Sequence, residues 1–192
     1  MDQFDHFHPL TRKEWRKWLA KNHDKSPGIW FVYYKKHTGK PVVSVADAVE
    51  EALCFGWIDS LQRRLDDERT KLVFTPRKPK SVWSRINKER IERMIASGAM
   101  AEAGLAKIEQ AKANGSWNAL DDSDNLNVPK DLSAALKKSK PASKNFNGFS
   151  DSAKRMILYW LGTAKREETR IARVEKIVSM ASIGKRANFD KE

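Results

Sequence analysis

Residues 53–95, LCFGWIDSLQRRLDDERTKLVFTPRKPKSVWSRINKERIERMI, change backbone class three times in one short span. Gly56 ends a helical pattern, and an apolar-aromatic run opens at Trp57 with one carboxylate, Asp59, set inside it. The polar stretch Asp66-Asp67-Glu68-Arg69 separates that run from a second, Leu72-Val73-Phe74-Thr75, so the pair reads as a hairpin. Pro76 and Pro79 follow among Arg77, Lys78 and Lys80. Proline fixes its own φ and pushes the residue before it to extended conformations, which predicts a stiff, basic, non-helical strap. Ser81 or Ser84 is then expected to cap a helix beginning near Val82.

Upstream, residues 1–9 carry no periodic pattern and are expected to be disordered. Thr11 and Glu14 have capping-box spacing, and Leu10 with Trp15 has the spacing of a hydrophobic staple. Trp15, Trp18 and Leu19 continue one apolar face until Ser26-Pro27-Gly28 breaks the helix. Ile29-Trp30-Phe31-Val32-Tyr33-Tyr34 is β-branched and aromatic throughout, the pattern of a strand buried on both faces. Ser44 is placed to cap a helix whose apolar positions are Val45, Ala48, Val49, Ala52 and Leu53. Strand, helix and strand in this order predict a crossover, right-handed if the two strands are parallel.

Downstream the pattern is helical. Residues 100–114 are Ala-rich, with Leu105 and Ile108 expected inward, and 116–128 read as an acidic loop. Pro129 is placed to open a short helix through Leu136, and 139–148, around Pro141, reads as a flexible connector. Two closing helices are expected at 151–164, with Ile157, Trp160 and Leu161 inward, and at 167–182, with Ile171, Val174 and Val178 inward. The predicted class is α+β: a small sheet of about three strands with a crossover helix, surrounded by helices, plus a helical C-terminal unit. The boundaries are 10–124 for the α+β core and 125–192 for the helical region, which is expected to pack on it.

The net charge of +12 over 192 residues favours an anionic partner, although a basic surface also arises from solubility alone. Residues 41–61 hold no Lys or Arg and four acids, whereas 62–93 hold 11 basic against 5 acidic residues and 137–192 hold 14 against 6. The single Cys54 excludes an internal disulfide. Without an N-terminal apolar segment or a run approaching 18 apolar residues, a soluble, cytoplasmic protein without a membrane span is expected.

FGWIDS at 55–60, followed by FTPRKPKSVWSRINKERIERMI at 74–95, resembles the signature of the YdeI/OmpD-associated family, also labelled bacteriocin-protection. The likeness continues through Met100-Ala101-Glu102-Ala103-Gly104, Gly115-Ser116-Trp117 and Ile157-Leu158-Tyr159-Trp160 to Gly184-Lys185-Arg186. It implies a stress- or resistance-related protein and a family more than a chemistry, since the members of that family are largely without an assigned reaction. The family label also suggests an envelope role, against which the missing export signal weighs.

The sharpest chemical candidate is the strap. Arg77, Lys80 and Ser81 precede a helix whose first turn was expected to hold Trp83 and Ser84, and a helix N-terminus with added cations is a ready anion site. The structural alternative is a solvated loop whose prolines only aim the helix. Asp59, a charge inside an apolar strand, is the candidate general acid/base, or else one member of a buried pair with Arg63, Arg77 or Arg85. Trp57 and Trp83 flank the hairpin and strap among basic residues and could stack nucleobases, or simply fill the core. The histidines have no metal-ligand spacing, phosphate-cradling glycine loops are absent, and Cys54 lies on an inward helix face as an inert thiol. No metal or cofactor is therefore expected. The leading expectation is a non-catalytic, stress- or resistance-related binding protein that recognises an anionic ligand, either an anionic small molecule or a phosphate-bearing partner. An enzyme using Asp59 with Arg77 and Lys80, and a sequence-neutral nucleic-acid binder using the two basic segments, are the alternatives.

Overall fold

The computed structural model describes residues 4–190. The chain divides into two compact units, Met1–Asn118 and Ala119–Glu192, ahead of the boundary expected at 124/125. The first unit runs β1 (His6–Phe7), α1 (Arg12–Asn22), β2 (Ile29–Tyr34), α2 (Val45–Cys54), β3 (Trp57–Arg64), β4 (Arg69–Pro76), α3 (Arg85–Ala96) and α4 (Glu102–Ala113). Its sheet has the order β1-β2-β4-β3.

The hairpin read from the sequence is β3–β4, with Trp57 opposite Pro76 and a register irregularity between Asp59 and Gln62. β4 is antiparallel to both β2 and β3, so those two run parallel with β4 between them, and α2 is the crossover that links them. Among the described residues the small sheet has four strands, where about three were expected. His6 and Phe7, inside the segment expected to be disordered, pair in parallel with Trp30 and Phe31. Two residues are too few to make a pattern; tertiary contacts hold them, with Phe7 beside Trp18 and the Trp30 N–H donating to the Asp5 carbonyl.

Strand alternation sends Phe31, Leu72 and Phe74 toward α1 and α2, where Trp15 meets Phe31 at 5.0 Å and Phe74 at 5.3 Å. Trp30, Val32 and Val73 alternate to the opposite face and are buried too, so β2 is covered on both sides. Thr11 caps α1 by accepting from the Glu14 N–H, while the Glu14 carboxylate accepts from the Leu10 N–H. The staple forms differently from the expectation: Leu10 is exposed, and Phe7 packs against Trp15 instead. The acids of α2 are tied to neighbouring helices, Glu51 to Arg12 and Arg16 and Glu50 to Arg93. Ser44 caps α2, and Ser84, not Ser81, caps α3, which starts three residues beyond Val82 because Ser81 is held in a turn by its N–H bond to the Lys78 carbonyl.

In α4 the inward face is Gly104, Ile108 and Ala111, while Leu105 is exposed. A Cβ on Gly104 would sit 2.3 Å from the Cys54 carbonyl oxygen, so glycine lets α4 reach the end of α2.

The second unit is helical: α5 (Asp121–Asp124), α6 (Lys130–Lys137), α7 (Lys140–Gly148), α8 (Asp151–Gly162) and α9 (Glu167–Ser182). Its core gathers Leu132, Leu136, Phe146, Ile157, Leu161, Ile177 and Met180. The expected loop at 116–128 contains α5, and the expected connector at 139–148 is α7, with Phe146 in the core. Pro141 is compatible because it falls in the first turn, where its missing N–H costs nothing, and Ser139 caps the helix. On α9 the buried face is Val174, Ile177, Met180 and Ala181, with Ile171 half exposed.

Candidate functional site

The strap folds inward. Arg77 follows β4 directly and donates its backbone N–H to the Gly56 carbonyl at 2.9 Å, extending the hairpin by one bond. Its side chain is only 4% exposed. The guanidinium carbon lies 3.5 Å from the centre of the Trp83 ring, a cation–π contact out of water. Nη2 donates to the Val82 carbonyl at 2.7 Å, whereas Nε and Nη1 are shielded from solvent and find no acceptor among the described residues. Burial pushes the Arg77 pKa down to about 10, and the negative charge of Asp59 partly opposes it.

The expected pair of Asp59 with an arginine does not form as an ion pair among the described residues. Asp59 sits half-buried on β3 opposite Phe74 and acts on Arg77 through space. The strand irregularity beginning at Asp59 explains why alternation alone misplaces the carboxylate. Trp57 is not a ligand platform: it is buried, its indole N–H donates to the His23 carbonyl at 3.0 Å, and it meets Trp18 in a T-shaped contact.

Lys80 is exposed on the turn at 78–81, beside half-buried Ser81. This turn is anchored from the other side by Asn114 at the end of α4, whose Nδ2 donates to the Pro79 carbonyl at 2.6 Å. Trp83 is fully buried between Arg77 and Trp117, whose ring centre is 5.2 Å away, and Lys88 lies over the Trp117 ring. Ser116, next to Trp117, has a buried hydroxyl without a partner among the described residues. The structure thus brings together Asp59, Arg77, Trp83 and Ser84 with three residues that the sequence reading left out: Asn114, Ser116 and Trp117. The only available signal for them was Gly115-Ser116-Trp117 in the family likeness, which says nothing of their packing against the strap.

The first turn of α3 carries no acidic residue, whereas those of α1, α2 and α4 carry Glu14, Asp47 and Glu102. Cationic Arg85 and Lys88 occupy it instead, against the helix dipole. Elsewhere, burial pushes the Cys54 thiol pKa up, with the Glu51 charge adding to the effect, which suits an unreactive thiol.

Surface grooves lie away from the strap. One of about 500 Å³ is bounded by Phe7, Trp18, Lys17 and Lys21, and another of about 380 Å³ shares Phe7 and Trp18. Among the described residues, no helix is long and apolar enough to cross a membrane.

Compared with models of known families, residues 7–107 match a domain of unknown function (DUF8412). The chain belongs to that family. Residues 125–184 match a second model, described as Bacteriocin-protection, YdeI or OmpD-Associated, so the kinship suggested by the sequence is shown. It is carried by the helical second unit, while the hairpin and strap that suggested it lie in the span of the first model. No curated protein and no solved structure matches.

Proposed function

We propose that this chain is a non-catalytic binding protein for a small, phosphate-like oxyanion, held by Arg77 with Lys80, Ser81 and the first turn of α3. The observation that carries this reading is the buried guanidinium with two nitrogens, Nε and Nη1, that find no acceptor among the described residues. A buried, unsatisfied donor costs about 1–3 kcal/mol, more for a charged group, so an oxygen-rich anion beside it recovers energy that the empty arrangement loses. The positive N-terminal end of the α3 dipole and the cationic residues of its first turn favour the same ligand charge. Nε and Nη1 have no exposed surface, so entry requires the 78–81 turn to lift, and Lys80 rides on that turn. Trp57 has no part in this site, and Asp59 serves as a nearby counter-charge to Arg77. A stress- or resistance-related role is drawn from the printed name of the second unit's family, and a cytoplasmic location is part of the same proposal, open to test by cell fractionation.

The decisive experiment is a thermal-stability titration with sulfate and phosphate against chloride at matched ionic strength. The wild type should gain stability in a saturable way, by about 2.7 kcal/mol at a hundredfold excess over Kd. Lys80→Ala should weaken the effect, and Arg77→Lys, which keeps the charge and removes the fork, should abolish most of it. A wild type that responds to sulfate and chloride alike would sink the proposal. Native mass spectrometry of the purified protein adds the identity of any retained anion.

A further inference from the structure

Helix α1 shows a second chemistry on the face beside β1. Glu14, Lys17, Trp18, Lys21 and Asn22 recur at i, i+3, i+4, i+7 and i+8, so they form one stripe. Trp18 is only half-buried, whereas Trp15 and Leu19 on the same helix are wholly buried. Its ring stacks beside that of Phe7, with centres 5.8 Å apart and planes at 26°. Both rings line the groove of about 500 Å³ and its neighbour of about 380 Å³, which continues past Asn22 to Lys25 and Pro27. The two grooves share three residues, Phe7, Trp18 and Asn22, and therefore make one elongated track with an aromatic floor at its middle.

Charge complements the floor. Lys17, Lys21 and Lys25 are exposed and make no ion pair among the described residues. Glu14, the acid at one end, accepts from the Leu10 N–H and is occupied in capping the helix. An elongated track with an aromatic middle, flanked by three lysines and bounded at its second groove by exposed Asp5, fits a polyanion that also presents flat apolar surfaces. An acidic peptide would use the lysines and leave the rings unmatched, and duplex DNA keeps its base faces stacked inside.

We propose that this groove binds single-stranded nucleic acid without sequence preference, its bases packed on Phe7 and Trp18 and its phosphates following Lys17, Lys21 and Lys25. Stacking on aromatic side chains is sequence-tolerant because every base has a π face, and a cationic wall tracks the backbone. The site uses α1 and β1, not the strap or α3, so it stands apart from the oxyanion proposal.

The test is fluorescence anisotropy of the full chain with labelled dT12, an abasic 12-mer and polyglutamate of equal charge. The wild type should bind dT12 at least fivefold tighter than either of the others, because only dT12 offers bases to stack. Lys17→Gln with Lys21→Gln, both at exposed positions, should lower the slope of log affinity against log salt by about 1.4. The control pair Lys137→Gln with Lys138→Gln removes the same charge from exposed positions at the C-terminal end of α6 and should leave the slope nearly unchanged. Trp18→Leu should erase the preference for dT12 over the abasic strand, with circular dichroism checking that the fold persists. Undetectable binding, equal affinity for the abasic strand or polyglutamate, or an equal loss in the control pair would each overturn the proposal.

Discussion

Arg77 takes a charge to a place where two of its nitrogens are shielded from solvent and find no acceptor among the described residues. Replacing it by methionine keeps the bulk over Trp83 and removes the desolvated charge. Arg77→Met should therefore stay within about 1 kcal/mol of wild type in anion-free buffer, whereas Arg77→Ala, which opens a cavity beside Trp83, should lose about 2–4 kcal/mol. Urea midpoints of the two variants decide this; equal, large losses would show that the bond to the Val82 carbonyl dominates. The pH dependence has a fixed sign. Because folding lowers the Arg77 pKa from the ordinary guanidinium value to about 10, the unfolded chain holds that proton more tightly. Its contribution to stability is lowest below pH 10 and improves as pH rises above it. The stability of wild type relative to Arg77→Met should thus rise between pH 8 and 11. Asp59, half-buried and without an ion pair among the described residues, should tolerate Asn at a cost below about 1 kcal/mol, well short of the roughly 3–5 kcal/mol expected for breaking a buried pair.

At the scale of elements, local chemistry was legible and tertiary capture was not. The caps of α1 and α2 were readable because a side chain and an amide three residues apart settle a helix start by themselves. Thr11→Ala should cost about 1 kcal/mol, measured by denaturant midpoint. The strand β1 and the helix α7 were misread for a shared reason: each is short, and each depends on distant partners. His6 and Phe7 need β2 and Trp18, and the segment around Pro141 becomes a helix by placing Phe146 in the core. Phe146→Ala should destabilise the second unit by about 3–5 kcal/mol in calorimetry, a loss that a flexible connector would not show. Helix faces were legible only to within a residue, as exposed Leu105 and Ile171 show. Glycine decides the first case, since Gly104 buries the backbone of α4 where a hydrophobicity count sees nothing. Gly104→Ala should cost about 1–3 kcal/mol through overpacking against Cys54.

Over the whole molecule, the excess of basic residues was visible in the sequence, but its meaning depended on which acids were already engaged. The acids of residues 41–61 largely serve α1 and α3, while lysines such as Lys17, Lys21 and Lys25 face solvent. The candidate residues around the strap were legible as a basic run before a capped helix; that Arg77 points inward was not, because a loop has no periodicity to orient its side chains. The order β1-β2-β4-β3 also has a bearing on self-association. It leaves two strands with one open side each, the usual starting point for sheet-to-sheet aggregation. One is only two residues long, and the other breaks register between Asp59 and Gln62 and ends in Arg63 and Arg64. These features act as gatekeepers against fibrils. Arg63→Val with Arg64→Val should turn β3 into a sticky template and produce concentration-dependent light scattering and thioflavin fluorescence, which the wild type avoids under the same conditions.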